Sequence, residues 1–501
     1  MDAPQLSPKP EPAAGDSRWI PIALAGVTLL AAALRLHTIA ARSFWYDEGL
    51  SVQVAQLSWP DLARALWFRE GNMSLYGLLL HGWMLFGSSE FWVRSLSALF
   101  GVATIPALFS LGRRLFDSRV GITAATLMTV NVAHVAFSQQ ARSYSLTVFC
   151  VTLSMLFFVR YVESGGASFG GAWCIASALS VYAHFFAGLM VLAEFLSLFF
   201  LRRGDFSWTG FFRYVRYWAY MLVPAAAIVL YSGGGQLTWL SPLTRTYFAY
   251  FVTHLIGNGG FWLPLLYAAA LILAGWAFWN VARKEGRSTQ LWRHALVWLA
   301  WIVPIVCVVL AGLWRPLFFL RFLLICLPGL FLVVAVGICR LKWSWMAGLA
   351  VVVIAALSLQ GVRAFYASDF DMIHDDYRSA TRYLLDHAQP GDTILFYLGP
   401  GRMTYEYYRS LFKPAVNPQV IYPAYAHDRV TWRDFQIEPL GVVFQDLPST
   451  SPRVWLFLNE YDAPEGNRRG VAFMRRWCEI HYGRLEDTQD FPQVELLLYT
   501  K

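Results

Sequence analysis

The chain has 501 residues, of which 57% are hydrophobic and 14% charged, and a mean hydropathy of +0.44. Soluble globular chains hold roughly 45–50% apolar and about 25% charged residues, so this balance excludes an ordinary soluble domain and indicates a polytopic membrane protein. The formal charge of +8 does not point to nucleic acid, because Arg and Lys of membrane proteins gather in cytoplasmic loops and set orientation; no nucleic-acid partner is expected.

In chain order, residues 1–18 are Pro-rich and polar and read as a disordered cytoplasmic N-terminus. The apolar run after them is too long for a signal-peptide core, so it is read as a retained helix. At about 20 apolar residues per crossing, spans are predicted over 19–39, 91–115, 120–137, 143–162 and 169–183. Further spans are predicted over 184–201, 212–231, 261–282, 293–313, 316–338 and 343–362, for a total of about eleven. The run 169–201 is too long for one crossing and is split at His184.

Basic residues give an independent check on this count. With a cytoplasmic N-terminus, the inner loops hold Arg113, Arg114 and Arg119, then Arg202, Arg203, Arg213 and Arg216. They go on to hold Arg283, Lys284, Arg287 and Arg293, then Arg340 and Lys342. The alternation works only if 169–201 crosses twice. It places the loop 42–90 and the tail 363–501 outside the cytoplasmic membrane.

The tail reads as a separate small α/β domain of about 130 residues beside an all-α membrane domain over 19–362. "DDYRSATRYLLDHA" is an amphipathic helix, and "DTILFYL", "RVWLFLN" and "VELLLYT" are strands. The tail has no Gly-rich phosphate loop and no nucleophile elbow, so no chemistry is assigned to it. Of the 6 Cys only Cys478 lies there, which rules out a disulfide framework within it.

Four polar features fall on the outer side. The loop 42–90 opens with "SFWYDEG", carrying Asp47 and Glu48, and continues through two short amphipathic stretches, 57–68 and 75–86, suited to the membrane interface. "SQQARSYSL" carries Arg142 and Tyr144, "YAHFF" carries His184, and "WRPLFFLRF" carries Arg315 and Arg321. Each has a plain structural use: a solvated acidic pair, arginines on helix-end carbonyls, a histidine satisfying a broken helix. Arg35, one turn from the end of the first helix, can snorkel outward. Arg321 is sharper, because an arginine one to two turns inside a span needs a cavity or an anion. Together the set suits transfer from a lipid-linked phosphate, with arginines holding the phosphate and a carboxylate taking an acceptor proton.

At these residues the sequence resembles the polyprenyl-phosphate-sugar-dependent glycosyltransferases of the GT-C fold. The branch it resembles contains the protein mannosyltransferases, the lipid A aminoarabinose transferase and bacterial relatives of lipopolysaccharide core assembly. "RSFWYDEG" is similar to the Asp-Glu motif of the family's first outer loop, "NMSLYGLLLHGW" to its "HPPLYYLLLHLW", and "SQQARSYSL" to its "SQEARMYAL". "YAHFFAGL" and "RFLLICLPGL" are similar to "YTHYYGLL" and "RYLLPALPAL", in the right order along nearly the whole chain.

The resemblance implies Asp47 as catalytic base on the acceptor and Glu48 as its acidic partner. It also implies Arg142 and Arg321 near the donor phosphate, with Tyr46, Asn72, Tyr76, Tyr144 and His184 in the donor or acceptor pocket. Asn72, Met73 and Ser74 stand where His-Pro-Pro is usual, and Gln140 where an acidic residue is common. Glu48, Glu70 and His184 then remain as the candidates for a metal. Some relatives bind a divalent ion and others need none, so the metal stays open.

The expected activity is inverting transfer of one sugar from a polyprenyl phosphate to a lipid, glycan or protein acceptor on the outer side. A transporter or flippase of a lipid-linked sugar is the rival from another class. It accounts for the apolar core and Arg321 but not for a long structured loop opening on Asp-Glu, and the paired repeats common in transporters are missing. A membrane assembly protein that recruits partners through its outer domain is the third reading.

Overall fold

The computed structural model describes residues 19–202, 204–232, 243–367, 375–397, 399, 401–424, 451–459 and 465–501. The N-terminal stretch 1–18 and Arg203 of the predicted inner loops lie outside the described residues. The chain divides into two compact units, and the division is discontinuous in sequence. One unit takes the described residues of Met1–His37, Gly71–Tyr76 and Ser95–Ser368; the other takes Thr38–Glu70, Gly77–Arg94 and those of Asp369–Lys501.

The first unit is helical. Among the described residues, 7 helices are long and apolar enough to cross a membrane, or up to 9 if each of two bent pairs is one span. The bent pairs are Ser118–Thr129 with Val132–Ser138 and Trp208–Met221 with Val223–Tyr231. Two shorter apolar helices, Ala167–Ala183 and Phe185–Phe200, meet at His184, where the sequence predicts a break. Each of the predicted apolar runs corresponds to one of these elements. The structure departs from about eleven straight crossings in that two of them bend and two are short.

The 62° bend near Val130 shows how a break survives where water is absent. A helix end leaves carbonyls and amides without intrahelical partners, and in lipid each must be satisfied by protein. Arg35 supplies that satisfaction. Its guanidinium donates to Met128 O at 3.3 Å, Thr129 O at 3.2 Å and Ala31 O at 3.1 Å, and lies 2.6 Å from His134 Nδ1. On the far side of the break, the Asn131 side chain accepts from His134 N–H at 2.9 Å. Arg35 is 0% exposed, so the snorkelling expected for it does not occur; pinning the bend outweighs reaching the interface.

The second unit is built on a five-stranded sheet: β1 (Thr393–Tyr397), β2 (Gln419–Tyr422), β3 (Arg453–Asn459), β4 (Arg484–Phe491) and β5 (Val494–Thr500), in the order β2-β1-β3-β5-β4. β1 runs parallel to β2 and β3; β3–β5 and β5–β4 are antiparallel. β1 and most of β3 are buried on both faces, which is why they read as unbroken apolar runs. One face carries Leu395, Leu456 and Leu497 under Met474, Trp477 and Cys478 of helix Glu465–His481. On the other, Phe457 stacks on Tyr377 at 5.4 Å and Phe396 meets Tyr405 at 5.2 Å, from helices Tyr377–His387 and Gly401–Phe412.

The segment 43–55 packs onto these two helices. Helix Tyr46–Ala55 lies against Gly401–Phe412, with Gly49 at the contact, where a Cβ would collide with Thr404. Gln53 Nε2 donates to Met403 O at 3.4 Å.

Candidate active site

The residues singled out from sequence fall into two groups, one in each unit. The acidic group starts from the strand-like entry Ser43–Trp45. The Phe44 amide donates to the Tyr408 hydroxyl at 2.7 Å, and the Ser43 hydroxyl accepts from the Arg378 amide at 3.0 Å. These bonds set where the helix begins. Glu48, at its third position, accepts from the Trp45 amide at 3.4 Å, giving the capping arrangement that satisfies a first-turn donor.

Glu48 is 0% exposed, and both of its oxygens are engaged by Arg94: Nε to Oε1 at 2.8 Å and Nη2 to Oε2 at 2.6 Å. The other Arg94 donors reach Ile39 O and Arg42 O at 2.8 Å and Ser43 O at 2.9 Å. All five guanidinium N–H groups therefore have acceptors, which makes this a fully satisfied fork–fork pair. Glu90 is bound in turn by Arg378 Nε at 3.1 Å and by the Tyr408 hydroxyl. Asp47, at the second position of the helix, is 9% exposed on the turn these pairs hold, and its carbonyl accepts from Ser51 Oγ at 3.0 Å. Tyr46 is half-buried beside it, its ring 5.0 Å from that of Trp45.

Asp375 is an acidic residue that sequence reasoning left out. It lies just before helix Tyr377–His387 and is 3% exposed. Its carboxyl accepts from the Tyr46 amide and from Asn459 Nδ2 at 3.3 Å, and Asp47 is its charged neighbour. Burial, with the negative charge of Asp47, pushes its carboxyl up from 3.8 to about 7, although both hydrogen bonds pull the other way. Arg94 and Glu90 were also missed, yet Arg94 carries the signal applied to Arg321: a lone arginine in an apolar run.

The second group surrounds His184. Asn72 Oδ1 accepts from the Phe185 amide at 3.0 Å, Asn72 Nδ2 lies 3.4 Å from His184 Nε2, and His184 Nδ1 lies 3.4 Å from the Phe186 amide. Both neighbours of the ring are donors, so a neutral imidazole accepts from only one of them. Asn72 and His184 thus hold the helix break. Arg142 and Arg321, both buried, are the charged neighbours of this imidazole.

The Arg321 guanidinium lies 4.7 Å from the Phe319 ring centroid and 5.9 Å from that of Tyr144, whose ring is 6.4 Å from His184. Tyr76 acts at one remove: its hydroxyl meets Ser97 Oγ at 2.9 Å, and that hydroxyl donates to Arg142 O at 3.1 Å. In the same motif Gln139 Nε2 donates to His37 O at 2.7 Å and Arg35 O at 3.1 Å, closing the end of the first helix. The span that carries Arg321 starts at Leu320, so this arginine is in its first turn rather than one to two turns inside, and Arg315 is exposed.

No group of three or more His, Cys, Asp or Glu that could hold a metal ion occurs among the described residues. Of the candidates, Glu48 is committed to Arg94 and His184 to the helix break.

Comparison with known proteins bears out the resemblance. Residues 78–232 match the family model of the dolichyl-phosphate-mannose-protein mannosyltransferases. The fold is that of ArnT from Cupriavidus metallidurans. Its crystal structure bound to undecaprenyl phosphate superposes with a TM-score of 0.60 at 12% identity, covering 96% of this chain and 98% of that one. The apo state of ArnT gives 0.61 at 11% identity, with 97% and 98% covered. The apo Archaeoglobus fulgidus oligosaccharyltransferase is more distant, at a TM-score of 0.51 and 11% identity over 79% of this chain and 64% of its own. No curated protein sequence matches the chain significantly. The enzyme class read from the sequence, a glycosyltransferase in a multi-pass membrane protein with a GT-C fold, agrees with the family model and with the fold.

Proposed function

We propose that this chain transfers one sugar from a polyprenyl-phosphate donor to an acceptor hydroxyl on the outer face of the cytoplasmic membrane. The observation that carries the proposal is the gathering of Arg142 and Arg321 about His184, buried within the membrane unit of a chain with the ArnT fold. Buried guanidinium groups at the end of a membrane span suit an anion. The ArnT structure with undecaprenyl phosphate and that of the archaeal oligosaccharyltransferase AglB with dolichol-phosphate supply the chemical class of that anion.

In the proposed step the acceptor oxygen attacks the anomeric carbon, and the bond from that carbon to the phosphate oxygen breaks. Polyprenyl phosphate departs, with its charge held by Arg142 and Arg321. The acceptor proton passes to Asp47. Glu48 fixes the turn through Arg94 rather than taking part itself, and inversion at the anomeric carbon follows the family resemblance. Lipid, glycan and protein acceptors all present a suitable nucleophile.

The experiment is consumption of a radiolabelled polyprenyl-phosphate sugar by the purified full chain in detergent, with envelope lipids, glycans and proteins offered in turn as acceptors. Transfer of label to one of them is expected. A chain that moves the intact donor between leaflets of a vesicle and never cleaves it would be a transporter, and the proposal would be abandoned.

A further inference from the structure

We propose that Asp375, contributed by the C-terminal segment, is a positioning residue for this transfer: it holds the first turn of helix Tyr46–Ala55 and thereby the carboxylate of Asp47. The inference rests on the reading of Asp47 as the base.

The geometry behind it is that of a helix start. The first amides of a helix have no intrahelical acceptors and must find them elsewhere. Here the Trp45 amide is taken by Glu48, while the Tyr46 amide is taken by Asp375, some 330 positions later in the chain by residue number. Asn459, at the end of β3, fixes Asp375 from behind: its Nδ2 donates to Asp375 Oδ2 at 3.3 Å and to the Tyr377 hydroxyl at 3.1 Å. The sheet thus reaches Asp47 through one carboxyl group. The second oxygen, Oδ1, is buried and has no hydrogen-bond partner among the described residues.

That oxygen decides which form of the group is at rest. A buried carboxylate with one oxygen unsatisfied beside a second carboxylate is the costlier form, and the neutral acid is the cheaper one. The groups facing Asp375 are Asp47 and Tyr46 from helix Tyr46–Ala55, Tyr377 from its own segment and Asn459 from β3. Helix Gly401–Phe412 meets the same region with Gly401 against Tyr377 and Thr404 against Gly49, neither of which titrates. Asp47 is therefore the charge that matters, and it acts in the same sense as burial. Ionisation of Asp375, near pH about 7, places a second negative charge on the turn of the base and disfavours approach of a phosphate-bearing donor.

Two measurements on the full-length protein in detergent test this. Wild-type turnover should fall on the alkaline side of neutrality, by up to about tenfold per pH unit once Asp375 is ionised. Asp375→Asn, a permanently neutral isostere, should lack that fall while staying within a few fold of wild type at roughly pH 6, with donor KM largely kept there. In parallel, infrared difference spectra of the wild type should show a protonated-carboxyl C=O stretch that titrates near neutrality and is missing from Asp375→Asn.

Superimposable pH profiles of the two proteins would overturn the inference, as would a wild type without the titrating band. The infrared arm needs no turnover. An inactive wild type that retains the band therefore counts against the transferase reading and not against the state of Asp375.

Discussion

Replacing Arg94 with Met removes a cation that serves five acceptors at once. Glu48 stays behind with 0% exposure and its charge uncompensated, and the carbonyls of Ile39, Arg42 and Ser43 lose their donor. Breaking a buried pair from one side costs about 3–5 kcal/mol, and each stranded carbonyl adds roughly 1 kcal/mol or more where water cannot enter. About 5 kcal/mol, after partial relaxation, approaches the whole stability of an ordinary domain. For a unit of this size that corresponds to a fall of about 10 °C or more in the apparent unfolding midpoint. The assay is thermal unfolding of the purified chain in one detergent, with limited proteolysis of the loop 42–90 as a local readout. Glu48→Gln combined with Arg94→Met removes both charges and should recover part of the loss, because the stranded carboxylate is then gone. If Arg94→Met melts within about 2 °C of wild type and its loop is cut no faster, the pair does not hold the acidic turn, and the reasoning fails.

Asp47→Asn keeps size and hydrogen bonding but cannot take a proton, so turnover should fall by about 10²–10⁴-fold with donor affinity largely kept; full activity would remove Asp47 from the mechanism. Arg321→Leu should raise the donor KM strongly while the protein still inserts, and unchanged donor kinetics would return the residue to a packing role. Asp375 also predicts how stability varies with pH. Its folded value of about 7 lies above its ordinary 3.8, so the folded state retains a proton that the unfolded chain has lost. That contribution is fully present below about 3.8 and is lost as pH rises through about 7. The loss is worth about 4 kcal/mol, and Asp375→Asn should flatten it in melts recorded across this window. Reporters active on only one side of the membrane, fused at Arg363 and at Lys284, should give opposite signals, with Arg363 outside.

Much of the fold was legible because lipid imposes a length on apolar runs. Helices Trp262–Glu285 and Thr289–Ala311 fall within a few residues of the predicted spans. The 62° bend was not legible, since it depends on Arg35 and Asn131 finding carbonyls and amides more than ninety residues away or across a turn. In the second unit, β1, β3 and β5 announce themselves as continuous apolar runs buried in the sheet. β4 does not, because it is an edge strand, is mostly exposed and spells "RLEDTQDF", with charges where a central strand would carry Val or Ile. β2 escapes for another reason: four residues, "QVIY", are too few to show a period.

The polar residues follow a different logic. A charge in an apolar run is costly and therefore visible, but the sequence does not say what compensates it. Arg35, Glu48, Gln139 and His184 turn out to serve helix ends, and that could be seen only once the distant carbonyls and amides they meet were in place. The acidic turn follows the same logic. Glu48 with Arg94, Glu90 with Arg378, and Asp375 with Asn459 commit three buried or half-buried acidic groups to fixing one short helix start. Each carries a desolvation cost that an apolar contact would avoid. Two of the three partners on which this depends, Arg378 and Asn459, come from the far end of the chain, which ties the C-terminal sheet to the geometry of residue 47. A loop that merely connected two spans would require none of these commitments; a loop that must hold one carboxylate still requires all of them.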